Sequence, residues 1–321
     1  MNLKQARYMM TVLREGSITG AAKRLYISQP SLSQMIKLAE QNLGAPIFDR
    51  STEPITLTYA GKRYMEAAKK MLSIYENLTN EIREINNESS GLLRLGIPLQ
   101  RGMQLLPSLI PDFLAMYPQV TLELEESGSD TLENMVEEGR IDIGLITTNP
   151  KRSELEYELI GEEKLMLLSD RRTELAQRVP GGTGIGIEQA KDESFIALKA
   201  GHSVRTIQDR LFFAADIAPK IKMETNSLEA AKRVTVGCNA VMLCPYVYIK
   251  SEQELLEKGV CYPILGNNYE RNFYACYRRE LYMPRYMREL IRLVQSLVRE
   301  NDVPFSPLKG GLPCDNGLKR S

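Results

Sequence analysis

Two short amphipathic repeats separated by a turn set the strongest constraint on this chain. Ile18, Ala21, Ala22 and Leu25 recur at i, i+3, i+4 and i+7, which places them on one face of a helix. After a break, Leu32, Ile36, Ala39 and Leu43 repeat the pattern in 4-3-4 steps. Ser28 stands where an N-cap is wanted, and Pro30 falls in the first turn, where its missing N–H costs little. The outward face of the second helix then carries Gln29, Pro30, Ser33, Gln34 and Lys37. Polar and basic side chains on the exposed face of a second helix fit a helix-turn-helix that enters a DNA major groove.

The flanking segments extend this reading. Residues 3–14 form a helix with Leu3, Ala6, Met10 and Leu13 inward, ended by Gly16, and Gly44 suits a C-cap for the helix ending near Leu43. Two β-prone pieces between 47 and 57 flank the turn-forming Ser51-Thr52-Glu53-Pro54, which describes a small hairpin, or wing. Arg50 and the wing tip are positioned for the sugar-phosphate backbone. Residues 1–70 hold 11 basic and 5 acidic residues, a net charge of +6, and the remaining residues carry −6, although the whole chain is neutral. A basic end on an acidic body places nucleic-acid binding at the N-terminus.

Thr58 is read as the cap of a long helix from about Tyr59 to Asn87. Within it Tyr64, Ala68, Met71, Tyr75, Leu78, Ile82 and Ile85 follow in 4-3-4-3-4-3 steps, an a/d seam that predicts pairing with a second copy. A two-fold dimer would read an operator with half-sites about one helical turn apart. The polar stretch Asn86–Gly91 is read as a hinge. Beyond it strands alternate with helices, which predicts βαβ units and a mostly parallel sheet. The strands fall at Leu92–Ile97, Val120–Leu124, Ile141–Ile146, Lys164–Leu168, Ser194–Leu198, Lys220–Glu224, Ala240–Leu243 and Phe273–Tyr277, and a last helix runs from Met283 to Glu300. The Pro- and Gly-containing segment 301–321 is expected to be disordered.

In open α/β sheets ligands bind at the loops that follow strands. Here these are Pro98-Leu99-Gln100-Arg101, Ser127-Gly128-Ser129, Thr147-Thr148, Lys199 to Ser203 (with Gly201 and His202) and Asn226-Ser227. Hydroxyls and free N–H groups at helix N-termini suit an anion, and Arg101, Lys199, His202 and Arg205 add positive charge. An anionic ligand is therefore expected.

Enzymatic chemistry is not expected. His202 is the one histidine, leaving little room for a Ser/His/Asp triad, and no H-E-x-x-H or paired Cys/His metal spacing is present. Gly181-Gly182-Thr183-Gly184-Ile185-Gly186 matches neither a P-loop nor G-x-G-x-x-G and is read as a turn. No metal or cofactor is expected. The odd total of 5 cysteines, without C-x-x-C spacing, suits free thiols in a reducing cytoplasm. No apolar run approaches the ~18 residues of a membrane helix, and the start lacks the basic and apolar regions of a signal peptide. A cytoplasmic protein without membrane partners is expected.

The chain resembles the LysR-type transcriptional regulators over residues 3–300. The matching residues are Ala21-Ala22, Leu25, Ser28-Gln29-Pro30-Ser31-Leu32-Ser33, Ile36, Glu40, Leu43-Gly44, Phe48, Arg50 and Leu57-Thr58-Tyr59-Ala60-Gly61. Gly91-Leu92-Leu93-Arg94-Leu95-Gly96, Leu106-Pro107, Tyr117-Pro118, Gly139-Arg140-Ile141-Asp142 and Val241-Met242-Leu243-Cys244-Pro245 are similar to the family's effector domain. Departures are Leu38-Ala39 in the recognition helix, Glu53-Pro54 in the wing, Cys238-Asn239 beside Gly237, and the tail after Glu300. The resemblance implies a winged helix-turn-helix over 1–58, a dimerising linker helix and hinge over 59–90, and a two-lobed, periplasmic-binding-protein-like α/β effector domain over 91–300. Lobe one would take about 92–165 and 266–300, and lobe two about 166–265. It further implies a small-molecule co-inducer in the cleft, assembly as dimers or dimers of dimers, and RNA polymerase as a further partner.

On that resemblance Gln29 and Gln34 are expected at base edges, with Pro30 and Ser31 against thymine methyls. Ser28 caps the recognition helix at the same surface, and Ser33, Lys37, Arg50 and Thr58 are expected at phosphates. The rival function is a redox sensor of the same fold that uses Cys238, Cys244, Cys261 or Cys276.

Overall fold

The computed structural model describes residues 1–86, 90–148, 150–265 and 271–300. The expected hinge residues 87–89 and the tail 301–321 lie outside these. At the N-terminus, α1 (Leu3–Glu15), α2 (Ile18–Arg24) and α3 (Gln29–Leu43) precede a two-stranded antiparallel wing of β1 (Phe48–Asp49) and β2 (Thr56–Leu57). Each boundary has a local cause. Asn2 and Gln5 form a capping box on α1, Gly16 ends it in the left-handed region at φ 64°, and Ser17 caps α2. Ser28 caps α3, Pro30 lies in its first turn, and Gly44 closes it at φ 75°. Leu38-Ala39 leaves α3 unbroken: Ala39 is buried and Leu38 faces outward.

The buried faces differ in part from those expected. In α1, Ala6, Met9 and Val12 are fully buried, while Met10 and Leu13 only pack against the edge of this core. In α3, Leu32, Ile36 and Ala39 are inside, but Leu43 is exposed beside the C-cap. The wing tip folds back, with Ile55 N donating to Gly16 O at 2.9 Å.

Thr58 caps α4 (Tyr59–Ile85), accepting from Gly61 N at 2.9 Å. The expected pairing seam is divided here. Tyr64 and Ala68 are buried in the chain's own helix-turn-helix core, because α4 packs along α1. They are therefore spent within one chain and are not part of an outward seam. Met71 is half-buried, whereas Ile74, Tyr75, Leu78, Ile82 and Ile85 remain exposed.

Beyond residue 90, the chain builds β3 (Gly91–Ile97), α5 (Leu99–Met116), β4 (Val120–Glu126), α6 (Ser129–Glu137), β5 (Ile143–Thr147) and β6 (Leu155–Glu163). There follow β7 (Leu165–Asp170), α7 (Glu174–Arg178), β8 (Ser194–Leu198), α8 (Ser203–Ala214), β9 (Lys220–Thr225), α9 (Leu228–Thr235) and β10 (Val241–Pro245). The last elements are α10 (Gln253–Lys258), β11 (Gly259–Pro263), β12 (Arg271–Arg278) and α11 (Arg285–Glu300). Among the described residues these strands form two five-stranded sheets, ordered β4-β3-β5-β12-β6 and β11-β7-β10-β8-β9.

The sheets are mixed, not mostly parallel. In each, the βαβ strands pair in parallel, while two further strands add antiparallel: β12 and β6 in the first, β7 and β11 in the second. Neither β6 nor β11 is among the expected strands: β6 does alternate over Leu155-Glu156-Tyr157-Glu158-Leu159, whereas β11 is a short run closed by Pro263. The chain leaves the first sheet after Glu163 and returns to it at Arg271, and these two residues face each other across the β6–β12 ladder. Separate apolar cores underlie the two sheets.

Candidate functional site

The outer surface of α3 is free of packing. Gln29, Pro30, Ser31, Gln34 and Lys37 are exposed and Ser33 is half-buried. Two of the hydroxyls are partly committed: Ser28 Oγ accepts from Ser31 N at 3.4 Å and shares a 2.8 Å hydrogen bond with Ser31 Oγ. Gln29 Nε2 donates to Ser33 Oγ at 3.0 Å, which leaves its carbonyl oxygen and second N–H to meet a base edge. Tyr26, in the turn before α3, is almost wholly exposed at 96% with φ 54°. Sequence pattern missed it; a bulky residue held in the left-handed region and unpacked is visible only in three dimensions.

Two expected phosphate ligands are otherwise engaged. The Thr58 hydroxyl donates to Pro46 O at 2.6 Å while accepting from Gly61 N, so its proton is not available to a phosphate. Arg50 Nη2 donates to Glu40 Oε2 at 3.0 Å, and Glu40 Oε1 accepts from Ile47 N at 2.9 Å. Glu40 thus ties the wing to the recognition helix. Arg50 keeps its remaining N–H groups at the surface.

The strand-end loops of the effector body divide as sharply. Arg101 lies in the first turn of α5, buried, and its guanidinium stacks over the Phe273 ring at 4.2 Å. Its Nη1 is 3.4 Å from Glu163 Oε1, and Glu163 Oε2 accepts from Arg271 Nε at 2.6 Å. Arg271 reaches across to the start of α8 by donating to Ser203 Oγ, and its Nη2 donates to Thr147 Oγ1 at 3.3 Å. Thr147 is held in turn by its N–H donating to Ser129 Oγ at 3.1 Å. Burial works against the charge on Arg271, but the adjacent Glu163 carboxylate and the Tyr248 side chain together outweigh it and hold the guanidinium protonated. Burial pushes the nearby Tyr248 phenol up to about 12, so it stays neutral. A second bridge between the lobes runs from Gln104 Nε2 to Val247 O at 2.7 Å.

The structure therefore joins Arg101, Thr147 and Ser203, three of the expected ligand residues, with Arg271 and Glu163, which sequence reasoning did not identify. Arg205 departs from expectation: its guanidinium is taken by Asp209, Glu224 and Leu198 O, which neutralises it. Ser227 caps α9 through Ala230 N at 3.1 Å, and Asn226 is exposed. Pro98 is half-buried at the start of α5, with Leu99 exposed and Gln100 half-buried. Lys199, Gly201 and Gly128 are exposed, and Ser127 and His202 are half-buried. Among the described residues, Pro98 O accepts from Arg101 N at 2.8 Å, and none of these side chains hydrogen-bonds to the Arg101–Arg271 cluster. The 181–186 segment is a turn pinned by Gly182 N donating to Cys261 O at 2.9 Å.

Of the four cysteines among the described residues, Cys244, Cys261 and Cys276 are buried, and burial raises all three thiols, those of Cys261 and Cys276 to about 12. Buried thiols held protonated are poor nucleophiles. Cys238 alone of these four is exposed. No group of metal-ligating side chains is present among the described residues, and no described helix is long and apolar enough to cross a membrane.

A winged helix-turn-helix carried by a long helix on a two-lobed α/β body is the architecture of a DNA-binding transcriptional regulator. Residues 3–62 match the profile of the bacterial regulatory helix-turn-helix protein, lysR family, and residues 86–299 match the LysR substrate binding domain. The chain belongs to the LysR family of transcriptional regulators. It is 30% identical over 265 residues to a probable RuBisCO transcriptional regulator of Gracilaria tenuistipitata var. liui, covering 80% of this chain and 83% of the relative. It is 27% identical over 263 residues to the uncharacterized HTH-type transcriptional regulator YybE of Bacillus subtilis (strain 168), covering 82% and 89%. Among solved structures, a full-length OxyR variant from Pseudomonas aeruginosa superposes with a TM-score of 0.71 at 24% identity, covering 92% of this chain and 95% of that one. Full-length CbnR complexed with its target DNA superposes at 0.56 and 22% identity, covering 92% and 99%. These two likenesses establish the fold.

Proposed function

We propose that this regulator reads operator DNA through α3 and that a small anionic metabolite, bound where the two lobes meet, modulates that binding. Gln29 and Gln34 contact base edges, Pro30 and Ser31 approach thymine methyls, and Ser33 and Lys37 contact phosphates. Arg50 serves the backbone from the wing root, and the Thr58 contribution is confined to capping α4. The protein acts as a dimer through the exposed lower seam of α4, and because its target is DNA it works in the cytoplasm. The observation that carries the anionic reading is the pair of buried guanidiniums, Arg101 and Arg271, with the Ser203 and Thr147 hydroxyls beside Arg271. Two guanidiniums and the single Glu163 carboxylate, all removed from water at one junction, leave a net positive charge that favours a negatively charged guest.

The test is calorimetric titration of the full-length protein with a panel of metabolites of both charges, followed by operator gel shifts with each binder. Anions should bind and change operator affinity by severalfold to about a hundredfold, the range of ordinary allosteric couplings of about 1–3 kcal/mol. Binding confined to neutral or cationic compounds would overturn the reading.

A further inference from the structure

At the point where the chain leaves the first lobe and returns to it, three charged side chains are withdrawn from water. The side chains of Arg101, Glu163 and Arg271 are 6%, 3% and 7% exposed. They are incompletely matched. Glu163 Oε2 is well bound by Arg271, but Oε1 has no hydrogen bond although Arg101 Nη1 is 3.4 Å away. Arg101 Nε is likewise buried without an acceptor. Stacking on Phe273 fixes the plane of the Arg101 guanidinium, so it does not simply turn to complete the pair. Among the described residues, two guanidiniums share one carboxylate, which leaves one excess positive charge, one orphan N–H and one orphan oxygen. Buried charges and donors are normally fully paired. The hydroxyls next to this gap, Ser203 and Thr147, already bond Arg271 and come from different lobes.

We propose that Glu163 is a resident carboxylate that stands in for the ligand's own, so that the cleft accepts a ligand bearing a single carboxylate and disfavours a dianion. This rests on the reading of the cleft as the effector site. The incoming carboxylate takes the Arg101 Nε–H and competes with Glu163 for the Arg271 guanidinium. It cancels the one excess charge. A second negative charge on the ligand would face Glu163 across a medium that screens poorly and would be repelled. Removing the charge of Glu163 raises the excess from one positive charge to two and relaxes the selectivity.

The test uses the full-length protein and three small probes at constant ionic strength: acetate, its neutral isostere acetamide, and the dianion malonate. Affinities are read by calorimetry and by the shift of the thermal midpoint. The wild type should bind acetate at least tenfold more tightly than either acetamide or malonate, and Arg101→Gln should lose the acetate response. Glu163→Gln should bind malonate at least tenfold more tightly than the wild type does. Should Glu163→Gln not fold, the wild-type ratios together with Arg101→Gln decide the matter. Malonate binding the wild type as tightly as acetate, or a Glu163→Gln variant with an unchanged acetate-to-malonate ratio, would overturn the proposal. If neither anion binds while a neutral metabolite binds and alters operator affinity, the resident-carboxylate proposal falls and the ligand-controlled switch survives. If acetate binds with the expected ratios but no cleft ligand alters operator affinity, the charge-selective site stands and its role as the effector site falls.

Discussion

Individual side chains on α3 divide into those that can read sequence and those that can only hold the protein to DNA. Gln29 keeps an acceptor and a donor after bonding Ser33, the pair that an adenine edge requires. Gln29→Ala should therefore lower discrimination between operator and random DNA, by about 1–3 kcal/mol for a bidentate contact. Lys37→Ala should weaken both about equally and reduce the salt dependence of binding by roughly one unit of slope. Gel shifts over a salt series with both DNAs separate the two outcomes, and equal losses for Gln29→Ala would refute its assignment. Gly61 makes a sharper case. A Cβ built there would lie 1.9 Å from the carbonyl oxygen of Ile47, where wing and linker helix meet. Gly61→Ala must push α4 off the wing, at a cost of about 1–3 kcal/mol or more for forced overpacking. A lower thermal midpoint for the N-terminal unit, with weakened operator binding, is the expected result.

Among the elements, the loop after β12 is tied to α4 by side-chain hydrogen bonds, which makes it the expected route between the proposed ligand site and the linker helix. β12 begins at Arg271, inside the cleft cluster, and ends at Arg278, just before a loop that grips the linker helix. Asn77 Nδ2 donates to Glu280 O at 2.7 Å, and Tyr282 N donates back to Asn77 Oδ1 at 2.9 Å. Lower on the helix, the Tyr282 hydroxyl donates to Glu84 Oε2 at 2.8 Å. On the proposed reading, a shift of β12 on ligand binding would reach α4 through these two reciprocal hydrogen bonds. Asn77→Ala should leave cleft affinity and basal operator affinity nearly unchanged while reducing the effect of one ligand on the other, a coupling read by titrating each in the presence of the other. An unaltered coupling would exclude this route. These contacts were not legible in the sequence, because Asn77 and Tyr282 are some two hundred positions apart and neither sits in a motif. The helix itself was legible: Thr58 and the 3.5-residue period mark its start and its apolar stripe without reference to any partner.

For the molecule as an assembly, the divided seam of α4 decides which residues are free to meet a second copy. Tyr64 and Ala68 are already inside the chain's own core, whereas Leu78 and Ile82 are about half exposed at 51% and 47%. Leu78→Glu with Ile82→Glu should shift the protein toward monomer in sedimentation and weaken operator binding, since one half-site then binds without its partner. Tyr64→Ala should instead act first on stability, because it opens a cavity in the helix-turn-helix core. A dimer that survives the double substitution would relocate the interface.

Local chemistry fixed the helix-turn-helix, its caps at Ser28 and Thr58, the helix-ending glycines at 16 and 44, and the family pattern. All of these depend on residues within a few positions of each other. The buried Arg101–Glu163–Arg271 cluster did not show in this way. Arg101 and Ser203 stood out as loop charges and hydroxyls, but so did Arg205, which the fold neutralises with Asp209 and Glu224. Arg271 and Glu163, which complete the cluster, lie more than a hundred residues apart on strands whose antiparallel pairing no local pattern specifies. Whether a charged side chain is a ligand, a cap or half of an ion pair depends on which distant group folding brings within 3 Å or so of it. The stretch of α2 and α3 thus declares its role by sequence period, while the buried charge cluster takes its character from the pairing of Glu163 with Arg271 across the β6–β12 ladder.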